Sequence, residues 1–439
     1  MDRDAIVQAD RRHVWHPYTP MDAWQTEDPI VVARAKGVHL HDVDGRRYID
    51  GNSSWWVAGL GHGHPRLVAA MKRQAETLVH CALAGIAHEQ AAALAEELVA
   101  IAPRGTTSAG DERRLDKVFY VDDGSTAIDA AAKMCVQGRR QLGQPKKRRF
   151  LALDGAFHGD TVGATSLGGV EVFRRLYAGV TFECVHAPVP EERSHERAFA
   201  AMKALVTEGA DTITAVFVEP VVQGAAGMRV YDPRFLQELR ALCDAHDVWL
   251  VADEVFTGYG RTGPMWACEH AGVAPDILCI GKAFASLLPM AAVLVNAKVF
   301  DGFRGGRDRA FLHGHTFCGH ALGAAVAREV LAVYRDEDVL GKVARSAPVI
   351  AQAFDRVAAL PGVERVRTIG MIGAADLGDG AKGYLGGIGW RVYEEAKKRG
   401  AYLRPLGSTV YVCPPLVIEP ADLAELLGIF EDSVKAATS

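Results

Sequence analysis

At 439 residues the chain is too long for one small core, and ordinary domain sizes predict two or three packed units. Hydrophobic residues at 49% and charged residues at 23% are ordinary for a soluble globular protein, and a formal charge of −5 offers no field for nucleic acid or an anionic membrane. No apolar run approaches the roughly 18 residues needed to span a bilayer, because Lys282 and Lys298 bracket only a shorter one.

The start, MDRDAIVQADRRHVWHPYTP, is charged from its second residue and lacks the apolar core of a signal peptide. The eight cysteines are scattered, with no Cys-x-x-Cys pair and no metal-type spacing. Reduced thiols in a cytoplasmic protein without a metal are the expectation, and composition points to an enzyme, a carrier or an assembly subunit.

In chain order, PIVVARAKGVHLHDVDGRRYIDG reads as a hairpin meander turning at Asp44-Gly45. HPRLVAAMKRQAETLVH and HEQAAALAEELVAIAP follow as amphipathic helices, the second stopped by Pro103. Residues 105–114, GTTSAGDERR, read as a surface loop. From about 115 the pattern becomes strand, turn, helix, repeated through KVFYVDDGSTAIDAAAKM, RRFLALDGAFHGD, ITAVFVEPVVQGAAG, VWLVADEVFTGYG and DILCIGKAF. Short apolar strands alternating with helices imply an α/β unit with a mostly parallel sheet covered on both faces. After the helix HALGAAVAREVLAVYRDE the chain turns α+β. The expected organisation is a large unit over 61–330 and a smaller α+β unit joining 1–60 to 331–439.

Four strand ends carry the chemistry: Gly124-Ser125-Thr126, Glu219, Asp253 and Lys282. Parallel sheets place function at these carboxyl ends. Asp253 and Lys282 are 29 residues apart, about one crossover, so neighbouring strands can bring them to one edge. Small residues opening a helix suit a phosphate, although an ordinary Ser/Thr cap would look the same. A lysine closing a buried apolar run loses hydration and favours losing its proton or forming a bond, although a snorkelling side chain would also fit. Together, a phosphate cradle, a carboxylate for a ring nitrogen and a desolvated lysine are what pyridoxal 5′-phosphate (PLP) requires. The nucleotide-binding pattern G-x-x-x-x-G-K-[ST] does not occur.

The run VADEVFTGYGRTGPMWACEHAGVAPDILCIGKAF resembles the signature of class III, fold type I, PLP-dependent aminotransferases. Within that class WHPYTPM, GNSSWWVAGLGHGHP, GAFHGDTVGATS, EPVVQGAAGMR, FLHGHTF and YLRPLGSTVYVCPP are similar to the 7,8-diaminononanoate aminotransferases of biotin synthesis. The resemblance implies a homodimer with shared sites, acting on 8-amino-7-oxononanoate with S-adenosylmethionine as amino donor, or lysine as in a subgroup. It makes Lys282 the Schiff-base and proton-shuttle residue and Asp253 the partner of the pyridine nitrogen. Gly124 and Ser125 would hold the phosphate, which Thr316 of the neighbouring subunit would also reach. Phe157 would stack on the ring, with Glu219 and His315 beside the cofactor. Tyr18, Trp55, Trp56 and Gly314 would line the substrate chain, and Arg404 would pair with its carboxylate.

Four departures from the family pattern stand out. Phe157 replaces a usual Tyr, Asp129 a usual Glu, and His320 a usual Asn. After Lys282 the glycine-containing segment of the family is replaced by AFAS, one residue shorter, so that Ala283 to Leu288 would stiffen and fill the loop. His315, where adenosylmethionine users commonly have Pro, leans toward another donor. Two rivals follow: another class III ω-aminotransferase acting on amines, diamines or ω-amino acids, and a catalytically degenerate PLP-binding homologue.

Overall fold

A computed structural model of the chain describes residues 1–106, 110, 112–378 and 387–439. Contacts divide it into Met1–His64 with Arg345–Ser439, and Pro65–Ala344. The division falls at 64 and 344, where the sequence suggested 60 and 330. The shift follows from the helix Ala321–Asp336, which packs on Pro65–Ala75 and Glu89–Ile101 and so belongs with the larger unit.

The larger unit holds a seven-stranded sheet. Its order is Lys117–Val121, Ala291–Val295, Ile277–Ile280, Trp249–Asp253, Ile213–Val218, Arg149–Leu153 and Cys184–Ala187. Only Ala291–Val295 runs antiparallel to its neighbours. Every residue of Trp249–Asp253 and Ile213–Val218 is buried, as parallel strands covered on both faces should be. The helix Gly124–Gln141 covers one face, its Ala127, Ile128, Ala131 and Cys135 sharing a core with Phe217, Trp249, Val251 and Val293.

The buried Asp276 pins one end of this sheet. Its carboxylate accepts hydrogen bonds from Arg113, Arg240, Asn296 and the Leu250 amide at 2.8–3.0 Å. Burial alone would raise its pKa, but the two guanidiniums lower it on balance. Of the expected surface loop 105–114, Gly105–Thr106 pairs with Glu112–Arg113, while 107–109 and 111 lie outside the described residues.

The smaller unit contains the predicted meander, Val32–Lys36, His39–Asp42 and Arg47–Asp50. Ala401–Tyr402 adds in parallel to the last of these, tying the N- and C-terminal segments into one sheet. A second sheet is formed by Val363–Ile369, Ile372–Leu377 and Thr409–Val412. The helices Gly389–Arg399 and Pro420–Thr438 pack together beside these strands.

One local feature was not visible in the sequence. Ser53, Ser54, Trp55 and Trp56 all have positive φ, between 45° and 75°, so SSWW is a left-handed helical turn. Each non-glycine residue held there costs about 1–2 kcal/mol. The turn is held by side chains: Asp50 accepts from the amide and hydroxyl of Ser54, Ser53 Oγ donates to the Cys413 carbonyl, and Trp56 Nε1 donates to Tyr411 Oη.

Candidate active site

In the larger unit the four strand ends converge. Asp253 stands opposite Cys279 in the parallel ladder, and Lys282 follows three residues later, opening a 3-10 turn at φ 48°. Gly281 and Gly124 close the space between lysine strand and phosphate helix: a Cβ on Gly281 would stand 3.5 Å from Gly124 Cα, and one on Gly124 would strike Val255 at 2.5 Å. At Gly124 a side chain would have to displace that of Val255.

The first turn of Gly124–Gln141 is capped by Asp123, which accepts from the Thr126 amide. Neither the Gly124 nor the Ser125 amide has an acceptor among the described residues. Two free N–H groups at the positive end of an 18-residue helix suit a phosphate. Ser125 Oγ is held at 2.9 Å by both the amide and the hydroxyl of Thr161.

Asp253 is buried and accepts from the Val255 amide and, at 2.7 Å, from His158 Nδ1. Sequence reasoning passed over His158. The available signal was a lone histidine directly after Phe157 in the AFHGD turn, but its partner is 95 residues away. Glu219, also buried, accepts from the amides of Phe157 and Gly224. Burial pushes its pKa up to about 7. The Phe157 backbone is thereby anchored, while its ring meets Phe173 edge-on at 5.5 Å.

Two departures find physical reasons here. His320 caps the helix Ala321–Asp336, its Nδ1 accepting from the Gly323 amide at 3.1 Å, so the imidazole does what an Asn cap would do. In the segment after Lys282, Phe284 is fully buried against Tyr259, which also meets Trp266 and Tyr334 edge-on. The filled loop is anchored by an aromatic cluster. Asp129 lies beside Gly163, where a Cβ would collide with its carboxylate, and burial raises its pKa. Gly314 and Thr316 are exposed, and His315 Nε2 lies 3.2 Å from Asp122.

In the smaller unit Arg404 lies at the centre of an aromatic cluster. Its guanidinium carbon sits over the rings of Trp55 at 4.9 Å and Trp390 at 5.7 Å, and Nη2 donates to the Tyr18 carbonyl. Tyr18 meets Trp55 edge-on. Among the described residues no carboxylate pairs with this guanidinium. Trp56 differs from its neighbour: it is 5% exposed and packed on Tyr411, whereas Trp55 is 37% exposed. The structure thus puts Trp56 in the core, although the sequence suggested it lines the substrate chain.

The class III aminotransferase family model matches residues 21–434. The chain belongs to that family. The aminotransferase is 39% identical to the adenosylmethionine-8-amino-7-oxononanoate aminotransferase of Nitratidesulfovibrio vulgaris, over 98% of this chain and 81% of that one. The crystal structure of the enzyme of that name from Methanocaldococcus jannaschii superposes with a TM-score of 0.93 at 30% identity, covering 99% of each chain. An ω-transaminase from Pseudomonas jessenii in complex with PMP superposes at 0.91 and 28% identity, over 99% of this chain and 98% of that one. The aminotransferase is therefore a PLP-dependent enzyme with the fold type I architecture. Its free helix amides, glycine-lined approach and buried carboxylate fit that cofactor. No helix among the described residues is long and apolar enough to cross a membrane.

Proposed function

We propose that the aminotransferase converts 8-amino-7-oxononanoate to 7,8-diaminononanoate, in the cytoplasm and as a homodimer, with S-adenosylmethionine as amino donor and lysine as the second candidate. The observation that carries the reading is the Arg404 guanidinium, set among Tyr18, Trp55 and Trp390 without a carboxylate partner among the described residues. A cation walled by aromatic rings suits a substrate with a terminal carboxylate on a long apolar chain. The names of the relatives support the same substrate.

PLP, when bound, supplies a carbonyl that takes up the amino group and a ring that draws electrons from the carbon losing its proton. The protein's part is positional and acid–base. Gly124 and Ser125 would hold the phosphate through their amides, with Thr316 of the second subunit beside them. Asp253, backed by His158, would pair with the ring nitrogen, and Phe157 would cover the ring. Lys282 Nζ would take the proton from the donor carbon and return it in a 1,3-shift, two bonds away; the second half-reaction would reverse these steps on the keto acid. Tyr18 and Trp55 would wall the substrate chain, while Trp56 supports that wall from the core. Leu312 and Phe317, 77% and 54% exposed on either side of Thr316, are apolar surface that a second subunit would cover.

The test is purified protein with PLP and 8-amino-7-oxononanoate, challenged in parallel with S-adenosylmethionine, lysine and a simple amine. Diaminononanoate formation with parallel double-reciprocal lines is expected. Lines converging as for a ternary complex would overturn the mechanism. Phe157 and the ω-transaminase neighbour favour a second reading, transamination of amines or ω-amino acids. Rapid turnover of 4-aminobutyrate with none of the oxononanoate would establish that reading instead.

A further inference from the structure

We infer that Trp390 is a positioning residue for the carboxylate-binding guanidinium, working with Trp55 to hold Arg404 ready for an anionic substrate terminus. This rests on the reading of Arg404 as the carboxylate site. Trp390 was not singled out by the sequence, where GWRVYEEAKKRG reads only as a helix. The structure opens that helix at Gly389, directly beside the segment carrying Arg404. A Cβ on residue 389 would collide with the Gly407 carbonyl oxygen and approach Pro405 Cβ to 2.7 Å. Glycine there lets the first turn lie flush against residues 405–407, which sets the Trp390 indole by the guanidinium.

Arginine has four flexible side-chain torsions, and fixing them costs entropy whenever an anion binds. Here that ordering is built in beforehand. The Arg404 amide donates to Asn52 Oδ1, Nη2 donates to the Tyr18 carbonyl, and two indole rings flank the guanidinium carbon. Trp390 is in turn braced by Tyr393, edge-on at 5.4 Å, and Tyr393 by Tyr402 at 6.1 Å. Flat rings over the guanidinium occupy no N–H donor, so its hydrogen-bonding edge stays available for a bidentate carboxylate. A carboxylate partner from the protein would fix the arginine equally well but would consume that edge.

The test measures calorimetric binding of nonanoate and its methyl ester to the holoenzyme, for Trp390→Leu, Trp390→Phe and Arg404→Ala. Trp390→Leu fills space but has no π face, whereas Trp390→Phe keeps one. Losing a cation–π contact should weaken nonanoate about three- to tenfold in Trp390→Leu, leave the ester unchanged, and be largely restored in Trp390→Phe. Melting curves check that each variant is folded; if the Leu variant is not, Trp390→Met makes the same comparison. Arg404→Ala tests the underlying reading: nonanoate affinity unaltered in that variant would remove the carboxylate site itself. If Arg404→Ala weakens nonanoate but the Leu and Phe variants bind alike, or acid and ester weaken equally in the Leu variant, Trp390 is only a packing residue and the inference is wrong.

Discussion

His158 Nδ1 lies 2.7 Å from Asp253 Oδ2, and both side chains are buried. Burial opposes charge on the imidazole, but the hydrogen bond and charge of Asp253 outweigh it, with Glu219 adding to them, and the His158 pKa is raised on balance. A raised basic group stabilises the fold fully below its unfolded value, here the ordinary 6.5, and that contribution is lost as the pH climbs through the raised value. His158→Asn should therefore cost about 3 kcal/mol or more in cofactor-free protein at pH 6, and distinctly less at pH 9. Denaturant unfolding at the two pH values measures this. An equal cost at both would show that no charged pair exists.

Gly124 faces Val255 so closely that a methyl group cannot be added unless the Val255 side chain or the helix N-terminus gives way. Gly124→Ala should weaken PLP binding by about tenfold or more, since a shift of a few tenths of an ångström misdirects both free amides. Val255→Ala in the same chain should recover most of that loss, because the collision is with the Val255 methyl at 2.5 Å. Absorbance titration with PLP measures both; an unrescued double variant would place the defect elsewhere.

The cap at His320 makes a comparison between two replacements informative. His320→Asn keeps an acceptor for the Gly323 amide and should change stability by only a few tenths of a kcal/mol, while His320→Ala should cost about 1 kcal/mol. Thermal melts would separate them. Equal losses in both would mean that imidazole packing, with its rings near His80 and Phe317, matters more than the cap.

In an ordinary helix glycine is worse than alanine; in the left-handed turn at Ser54 the order should invert. Both replacements lose the Ser54 hydroxyl bond to Asp50, but only glycine relieves the backbone cost at φ 45°. Ser54→Gly should be more stable than Ser54→Ala by about 1 kcal/mol. Urea unfolding gives the ranking, and alanine equal to or better than glycine would speak against the left-handed turn.

How much of this was legible depended on how far apart partners lie in the chain. Lys282, Asp253 and Glu219 each close an apolar run, and a run is a local pattern. The mostly parallel sheet followed from the same runs, although the antiparallel insertion of Ala291–Val295 did not, because an apolar strand does not declare its direction. His158 and Trp390 escaped notice since what they touch, Asp253 and Arg404, is supplied by other elements. The inward turn of Trp56 was hidden for a related reason. Adjacent residues normally diverge by known angles, but four successive positive φ values are imposed from outside by Asp50, Cys413 and Tyr411.

The order of residue types along the chain pointed to the cofactor, and its resemblance to class III aminotransferases implied the reaction class. Hydrophobic periodicity places strand ends, and a lysine, a carboxylate and a small-residue helix start at those ends suit PLP. The tertiary structure alone decided how those groups are held. A carboxylate gets its imidazole partner, a guanidinium its aromatic neighbours and a helix its substitute cap through contacts whose geometry depends on the packing of distant segments. Close packing sets such contacts to within tenths of an ångström, a precision that residue order does not encode locally.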